Sequence, residues 1–272
     1  MKRIVKYIPS SNRLVYFYAN ATPEYWDNIW INEGPPAPIE RNHDVLRLTR
    51  KYLPQGSKVI EAGCGRGDKV NAMALSGFNS FGIDFAPNTV NSAQIQFPNC
   101  KIQHGDVRNL EFENSSFDGY WSIGVIEHFW SGYEKILSEA HRVLRPGGYL
   151  FLSTPSFSPY RQYKARKGHY PVVDPAPILE PKDFYQFALG REEIESALKR
   201  HGFEQKYWGG RAPEISMMED MTGNRHIIDW LLGSRGGITK RITRRLVSLA
   251  LSNWCGHSFI SVSRKIPFNK YV

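Results

Sequence analysis

The sequence predicts an α/β fold, a doubly wound and mostly parallel seven-stranded sheet with helices on both faces. Three observations predict it. Short strand-like runs alternate with helical spacing from Lys58 to Thr154, the first of them enters a glycine-rich turn, and the next two end at Asp84 and Asp106.

Each element follows from its local pattern. Glu40 to Leu53 carries Val45, Leu46, Leu48 and Leu53 at helical spacing and stops at Pro54-Gln55-Gly56. Lys58–Ala62 reads as the first strand, followed by a helix through Leu75. Ser80–Asp84 is the second strand, and Pro87–Gln96 a helix with its proline in the first turn. Lys101–Gly105 and Phe117–Ile123 are the third and fourth strands. A helix from Gly132 to Leu144 ends at Arg145-Pro146-Gly147-Gly148, and Tyr149–Thr154 is the fifth strand. Arg191–Arg200 is a helix stopped by Gly202, and Phe203–Trp208 and His257–Arg264 complete the seven strands.

Around this frame, residues 1–56 read as an N-terminal aromatic and helical cap, irregular up to Gly34-Pro35-Pro36-Ala37-Pro38. Residues 57–272 form the main domain, with insertions at about 155–190 and 209–256. The first insertion holds six prolines and is too long for an ordinary connection; the second reads as helical.

Composition narrows the class. Of the 272 residues, 41% are apolar and 13% aromatic, enough for a real core. No run approaches the roughly 20 apolar residues that span a bilayer. Met1 to Lys6 is charged with no apolar stretch behind it, so no secretory signal is expected. Cys64, Cys100 and Cys255 show neither CxxC nor metal spacing, and a cytoplasmic setting is expected. The net charge of +9 is uneven: residues 57–150 hold 8 Lys/Arg against 10 Asp/Glu, whereas Trp230 to Val272 holds eight basic residues and no acidic one. Such asymmetry points to an anionic partner, a phosphorylated substrate, a nucleic acid or an acidic membrane face; a merely soluble basic surface accounts for it equally well.

The chemistry concentrates in Val59-Ile60-Glu61-Ala62-Gly63-Cys64-Gly65-Arg66-Gly67-Asp68. Absent side chains let the backbone turn sharply and approach a ligand, and the helix that follows offers free amides. Asp68 stands where a dinucleotide site needs a third glycine, which disfavours a nicotinamide dehydrogenase, and with Glu61 it suits a cationic amine better than a pyrophosphate. Asp84, 21 residues after Gly63, has the spacing of a carboxylate that accepts both ribose hydroxyls. Asp106, in His104-Gly105-Asp106-Val107, suits the exocyclic amine of adenine. Each carboxylate alone reads as well as a turn cap; the ordered set does not.

The order Glu-x-Gly-x-Gly-x-Gly, Asp84, Gly105-Asp106, Phe117-Asp118-x-x-x-Ser122 and Leu144-Arg145-Pro146-Gly147-Gly148 resembles class I S-adenosylmethionine-dependent methyltransferases, a Rossmann-like family. The likeness is to the broad group with the quinone-biosynthesis and small-molecule enzymes, and covers residues 40–155 best. It implies S-adenosylmethionine as cofactor and S-adenosylhomocysteine as product. By position it implies Gly63, Gly65 and Gly67 along the methionine part, with Glu61 near its amine. Asp84 would hold the ribose, Phe85 pack on the adenine, Asp106 and Val107 flank its edge, and Ser122 sit beside the sulfonium.

For the acceptor, His128 in Ile126-Glu127-His128-Phe129 is the first candidate base, with a structural histidine as the equal alternative, and His169 is the second. Some related quinone enzymes bind a divalent metal here; Gly124 replaces the further acidic residue they carry, so no metal is expected. Ser158 to Tyr170 interleaves aromatic and basic residues, as a lid over an organic acceptor or as a basic loop with its rings plugged into the domain. Ile238, Ile242, Leu246 and Leu249 share a helical face with Lys240, Arg241, Arg244 and Arg245 beside it. This reads as a peripheral membrane helix, a gate for a lipid-linked acceptor, or more commonly a helix packed on its own domain. Tyr25, Trp26 and Trp30 close over the cofactor or pack in the core. The expected function is methylation of a small organic acceptor at O or N, anionic, glycan-related or lipid-linked. An RNA methyltransferase and a non-catalytic cofactor-binding module are the alternatives. The first lacks the Asn/Asp-Pro-Pro-aromatic signature and any RNA-binding module, so a nucleic-acid partner is not expected.

Overall fold

A computed structural model describes residues 3–34, 36–173, 179–220 and 238–266, without the side chains of residues 238–241 and 243–245. Its centre is a seven-stranded sheet in the order β5-β4-β3-β6-β7-β10-β9. These strands are β3 (Lys58–Ala62), β4 (Asn79–Asp84), β5 (Lys101–His104), β6 (Phe117–Ile123), β7 (Leu144–Pro155), β9 (Phe203–Arg211) and β10 (Ser258–Lys265). The first five pair in parallel, and only β10 runs against its neighbours β7 and β9.

Parallel strands are covered on both faces, so both residues of each alternating pair are apolar. Ile60, Tyr120, Leu150 and Leu152 join one core with α5 (Glu134–Val143) and α7 (Arg191–Arg200). Val59, Trp121 and Phe151 join the other with α2 (Asp44–Tyr52) and α3 (Asp68–Leu75). The Trp121 indole, fully buried, donates to Thr49 Oγ1 at 3.0 Å, which removes the cost of an unpaired N–H. α4 (Pro87–Gln96) packs Val90 and Ala93 against Val70 of α3 and Ile102 of β5.

The flanking segments depart from expectation. The first residues are not irregular: β1 (Ile4–Ile8) and β2 (Arg13–Phe17) form an antiparallel hairpin around Pro9–Ser11. β8 (Phe184–Ala188), from the first insertion, adds to β2 and makes a separate three-stranded sheet. Between hairpin and main sheet lies α1 (Pro23–Asn32), started by Thr22, whose side chain accepts from Tyr25 N, and by Pro23 in its first turn. The fifth strand is longer than Tyr149–Thr154 because Leu144 already pairs with Phe117, and the register then shifts before Tyr149. α6 (Pro159–Arg166), α8 (Pro213–Asp220) and α9 (Ile238–Cys255) complete the described elements.

Candidate functional site

A cavity of about 430 Å³ opens at the carboxyl ends of β3, β4 and β6. Here the chain reverses across the sheet: it steps from β3 outward to β4 and β5, then returns to β6 on the other side of β3. Loops diverge at such a switch point and leave a crevice.

The turn after β3 forms the floor. Gly63 has φ +82°, and a Cβ there would collide with Val125, so the β3 and β6 loops meet only because the side chain is missing. The Gly65 amide donates to Asp84 Oδ2 at 2.7 Å, while Ala86 N donates to Oδ1 at 3.0 Å. The first bond ties the turn to the end of β4, and the second fixes the carboxylate against its own chain. Asp84 is buried, which raises its pKa against the lowering pull of the same amides. Glu61 is 1% exposed, and burial pushes its carboxyl up to about 8. Its nearest cation, Lys69 Nζ, stands 3.9 Å from Oε1; Oε2 is buried with no partner.

The walls come from distant segments. α1 contributes Trp26 and Trp30, stacked with centroids 5.8 Å apart, and Arg66 lies over the Trp30 ring at 5.1 Å. Asp27 on the same helix fastens this wall. Its Oδ1 accepts from Thr89 N and Oγ1, both at 2.7 Å, and Oδ2 from Asn88 N and Nδ2 at 3.3 and 3.0 Å. Ala86, which precedes α4, offers that helix no side-chain cap, so Asp27 caps it from across the fold. Next to Trp26, whose ring meets that of His128 at 5.1 Å, a 3-10 turn, Ile126–His128, carries Glu127 and His128 into the cavity beside Tyr185 and Gln186 of β8.

The His128 ring fixes its own tautomer. Nδ1 lies 2.6 Å from the Tyr185 carbonyl, which can only accept, so Nδ1 carries the proton and Nε2 keeps a lone pair. Burial lowers the pKa to about 4, so the ring is neutral at physiological pH. Glu127 is buried, raised to about 8 by desolvation, and its Oε2 has no partner.

The cavity gathers Glu61, Gly63, Gly65, Asp84, Phe85, Asp106, Val107 and His128 from the residues the sequence singled out. Three others lie outside it. Gly67 has φ +75°, and a Cβ there would strike Ile102; it caps α3 and lets that helix pack on β5. Ser122 is buried one residue before the end of β6, where Ile123 and Gly124 line the cavity in its place. His169 is exposed after α6 and its backbone N donates to Lys164 O at 3.0 Å. Nor do residues 158–170 line the cavity as a lid. Arg161, their central cation, is buried and bonds Asp220 at 2.9 Å and Glu219 at 3.1 Å, so it meets acids of its own chain. Asp106 faces the cavity but is held by Arg108 through contacts of 3.0 and 2.6 Å, which keep its pKa low.

Comparison with known proteins agrees with this geometry. Residues 60–152 match the family described as Methyltransferase domain. A Mycolicibacterium smegmatis protein named for S-adenosylmethionine-dependent methyl transfer is 33% identical over 143 residues, covering 52% of this chain and 55% of that one. Over this stretch the chain is similar to S-adenosylmethionine-dependent methyltransferases. The fatty-acid O-methyltransferase of the same organism is 31% identical to it over 173 residues, 55% of this chain and 61% of the relative. The chain thus spans little more than half the length of these curated relatives. Among solved structures, a Haloferax volcanii protein in complex with a methyltransferase activator shares the fold at TM-score 0.59, with 16% identity and cover of 93% and 100%. The cyclase SpnF shares it at 0.57, with 17% identity and cover of 97% and 99%.

The cofactor of a methyltransferase domain of this class is S-adenosylmethionine, and the residues fit it on their own terms. A buried carboxylate oxygen without a partner, beside a turn stripped of side chains, is a receptor for a cationic or donor group brought by a ligand. Among the described residues, no group of three His, Cys, Asp or Glu is disposed to hold a metal ion. Lys69, Tyr185, Gln186 and the Asp27 clasp were absent from the sequence reading of the site. Only Tyr185 and Gln186 carried a signal, since they fall in the insertion expected to serve the acceptor.

Proposed function

We propose that this protein transfers the methyl group of S-adenosylmethionine to an oxygen of a small, lipid-related organic acceptor. The observation that carries the proposal is Glu61, whose buried Oε2 faces the cavity floor unpaired. In this reading Glu61 takes the cofactor's amine. Gly63 and Gly65 let the backbone approach the methionine chain, Asp84 accepts from the ribose with its remaining lone pairs, and Phe85, Asp106 and Val107 flank the adenine. The cofactor supplies a methyl group already activated on a sulfonium. The chain's own task is therefore alignment of the acceptor, exclusion of water, and custody of one proton. Trp26 and Trp30 exclude water. His128 Nε2 accepts the acceptor's hydroxyl proton while Nδ1–H stays on the Tyr185 carbonyl. A neutral ring with low basicity takes that proton only as the oxygen becomes acidic.

Support for the acceptor class comes from the aromatic walls and from two relatives. One is named a fatty-acid O-methyltransferase. The other, from Mycobacterium leprae, is named a phthiotriol/phenolphthiotriol dimycocerosates methyltransferase and is 34% identical over 43% of this chain. The test is incubation with methyl-labelled S-adenosylmethionine and a panel of long-chain acids, phenolic lipids, polar amines and RNA. Label in a solvent-extractable ester or ether, with matching S-adenosylhomocysteine, is expected. Label confined to amines or RNA, or none above the blank, contradicts the proposal.

A further inference from the structure

The helix α9 (Ile238–Cys255) has two faces with different fates. Its last turn is anchored: Cys255 is buried, Asn253 Oδ1 accepts from the Gly210 amide at 3.0 Å, and the half-exposed Trp254 ring meets that of Tyr160 at 4.9 Å. The turns before it leave Ile242, Leu246 and Leu249 exposed by 56, 62 and 65%. Spaced by four and three residues, these three lie on one face of the helix. A single exposed leucine is ordinary; an aligned apolar stripe on one helix marks an interaction surface.

Two further observations say what covers it. The sequence sets Lys240, Arg241, Arg244 and Arg245 in the same turns, and no acidic residue occurs from Trp230 to Val272. An apolar stripe with basic neighbours suits an anionic bilayer surface, where the stripe enters the acyl boundary and the cations meet lipid phosphates. A nucleic acid would use the cations and gain nothing from the leucines. Position agrees. α6 follows the end of β7, α8 follows the end of β9, and α9 precedes the start of the antiparallel β10, so all three gather at the sheet edge where the cofactor cavity opens. No helix of the described residues is long and apolar enough to cross a membrane, so the contact is one of lying on the surface.

We propose that α9 docks this protein on anionic membrane surfaces through Ile242, Leu246 and Leu249, presenting the cavity-bearing edge of the sheet to the lipid. The proposal deepens the reading of a lipid-related acceptor. The binding experiment is nevertheless independent of turnover.

The full chain is sedimented with sucrose-loaded vesicles of phosphatidylcholine alone or with phosphatidylglycerol, at low and high salt, without cofactor. Binding is expected only to the anionic vesicles, weakened by salt. The double variant L246Q/L249Q should bind at least tenfold more weakly while its affinity for S-adenosylhomocysteine, read by calorimetry, stays within twofold. Equal vesicle binding by chain and variant overturns the proposal. So does binding to an RNA oligonucleotide in place of vesicles, or a dimer in light scattering that the double variant abolishes. A protein that binds anionic vesicles through this stripe but methylates nothing keeps the docking surface and loses the proposed activity. The reverse result keeps the activity and loses the surface.

Discussion

The two halves of the cavity are built in opposite ways. The half we assign to the cofactor takes Glu61, Gly63, Gly65, Asp84, Phe85, Asp106 and Val107 from one stretch of chain, at the ends of neighbouring parallel strands. The half we assign to the acceptor joins Trp26 and Trp30 of α1, Glu127 and His128 after β6, and Tyr185 and Gln186 of β8. The first half is held by the Asp84 carboxylate and the backbone amides that donate to it. The second exists only because a hairpin at the start of the chain pairs with a strand from an insertion. The difference teaches where each half is vulnerable: the floor to loss of a hydrogen-bond acceptor, the wall to loss of a clasp.

The largest expected effect breaks the floor. In Asp84→Asn one amide nitrogen replaces an oxygen that accepts from Gly65 or Ala86, leaving a buried N–H facing a donor. Affinity for S-adenosylhomocysteine should fall by roughly 100-fold in calorimetry. Next comes the base proposed for the wall. His128→Ala should slow methylation of a hydroxyl acceptor by about 100-fold with little change in cofactor affinity. Against an acceptor already ionised at its oxygen the loss should shrink to a few-fold, and comparing the two rates checks it.

A smaller effect tests the clasp. Asp27→Ala removes four hydrogen bonds and the cap of α4, costing about 1–2 kcal/mol. A thermal melt should show Tm lower by about 2–4 °C. Cofactor binding should weaken by only a few-fold, since the floor is untouched. The smallest effects belong to residues outside the cavity. His169→Ala and Ser122→Ala should leave turnover and cofactor affinity within about twofold, and a larger loss in a standard assay would move those residues back into the site.

The same contrast explains what was legible in the sequence. Strand-to-turn junctions in a parallel sheet place side chains at one edge by period alone, so Glu61, Asp84 and Asp106 could be put together without coordinates. Ser122 lies one residue short of the cavity lining, because β6 runs one position further before its chain reaches the cavity. Gly67 packs a helix where the sequence suggested ligand approach; a glycine serves both, and spacing does not separate the two. Arg161 reads as a free cation in sequence, and only the fold shows that Glu219 and Asp220 lie against it. The hairpin reads as irregular in the sequence; β-branched and aromatic residues do flank Pro9-Ser10-Ser11 on both sides, but nothing local names β8 as their partner.

Glu61 offers the most direct measurement. Its carboxyl is raised from 4.5 to about 8 by burial, so in the folded chain it holds a proton that the unfolded chain releases above about 4.5. Its contribution to stability therefore falls as pH rises toward 8 and is constant above it. A cationic amine seated on Glu61 favours the ionised form and expels that proton. Calorimetry of S-adenosylhomocysteine binding at pH 7, in buffers of different ionisation enthalpy, should show proton release on binding and an affinity that rises toward pH 8. In Glu61→Gln both should be absent and binding weaker. Tight binding with no proton exchange, identical in the protein and in Glu61→Gln, would contradict the assignment of the cavity floor to the cofactor's amine.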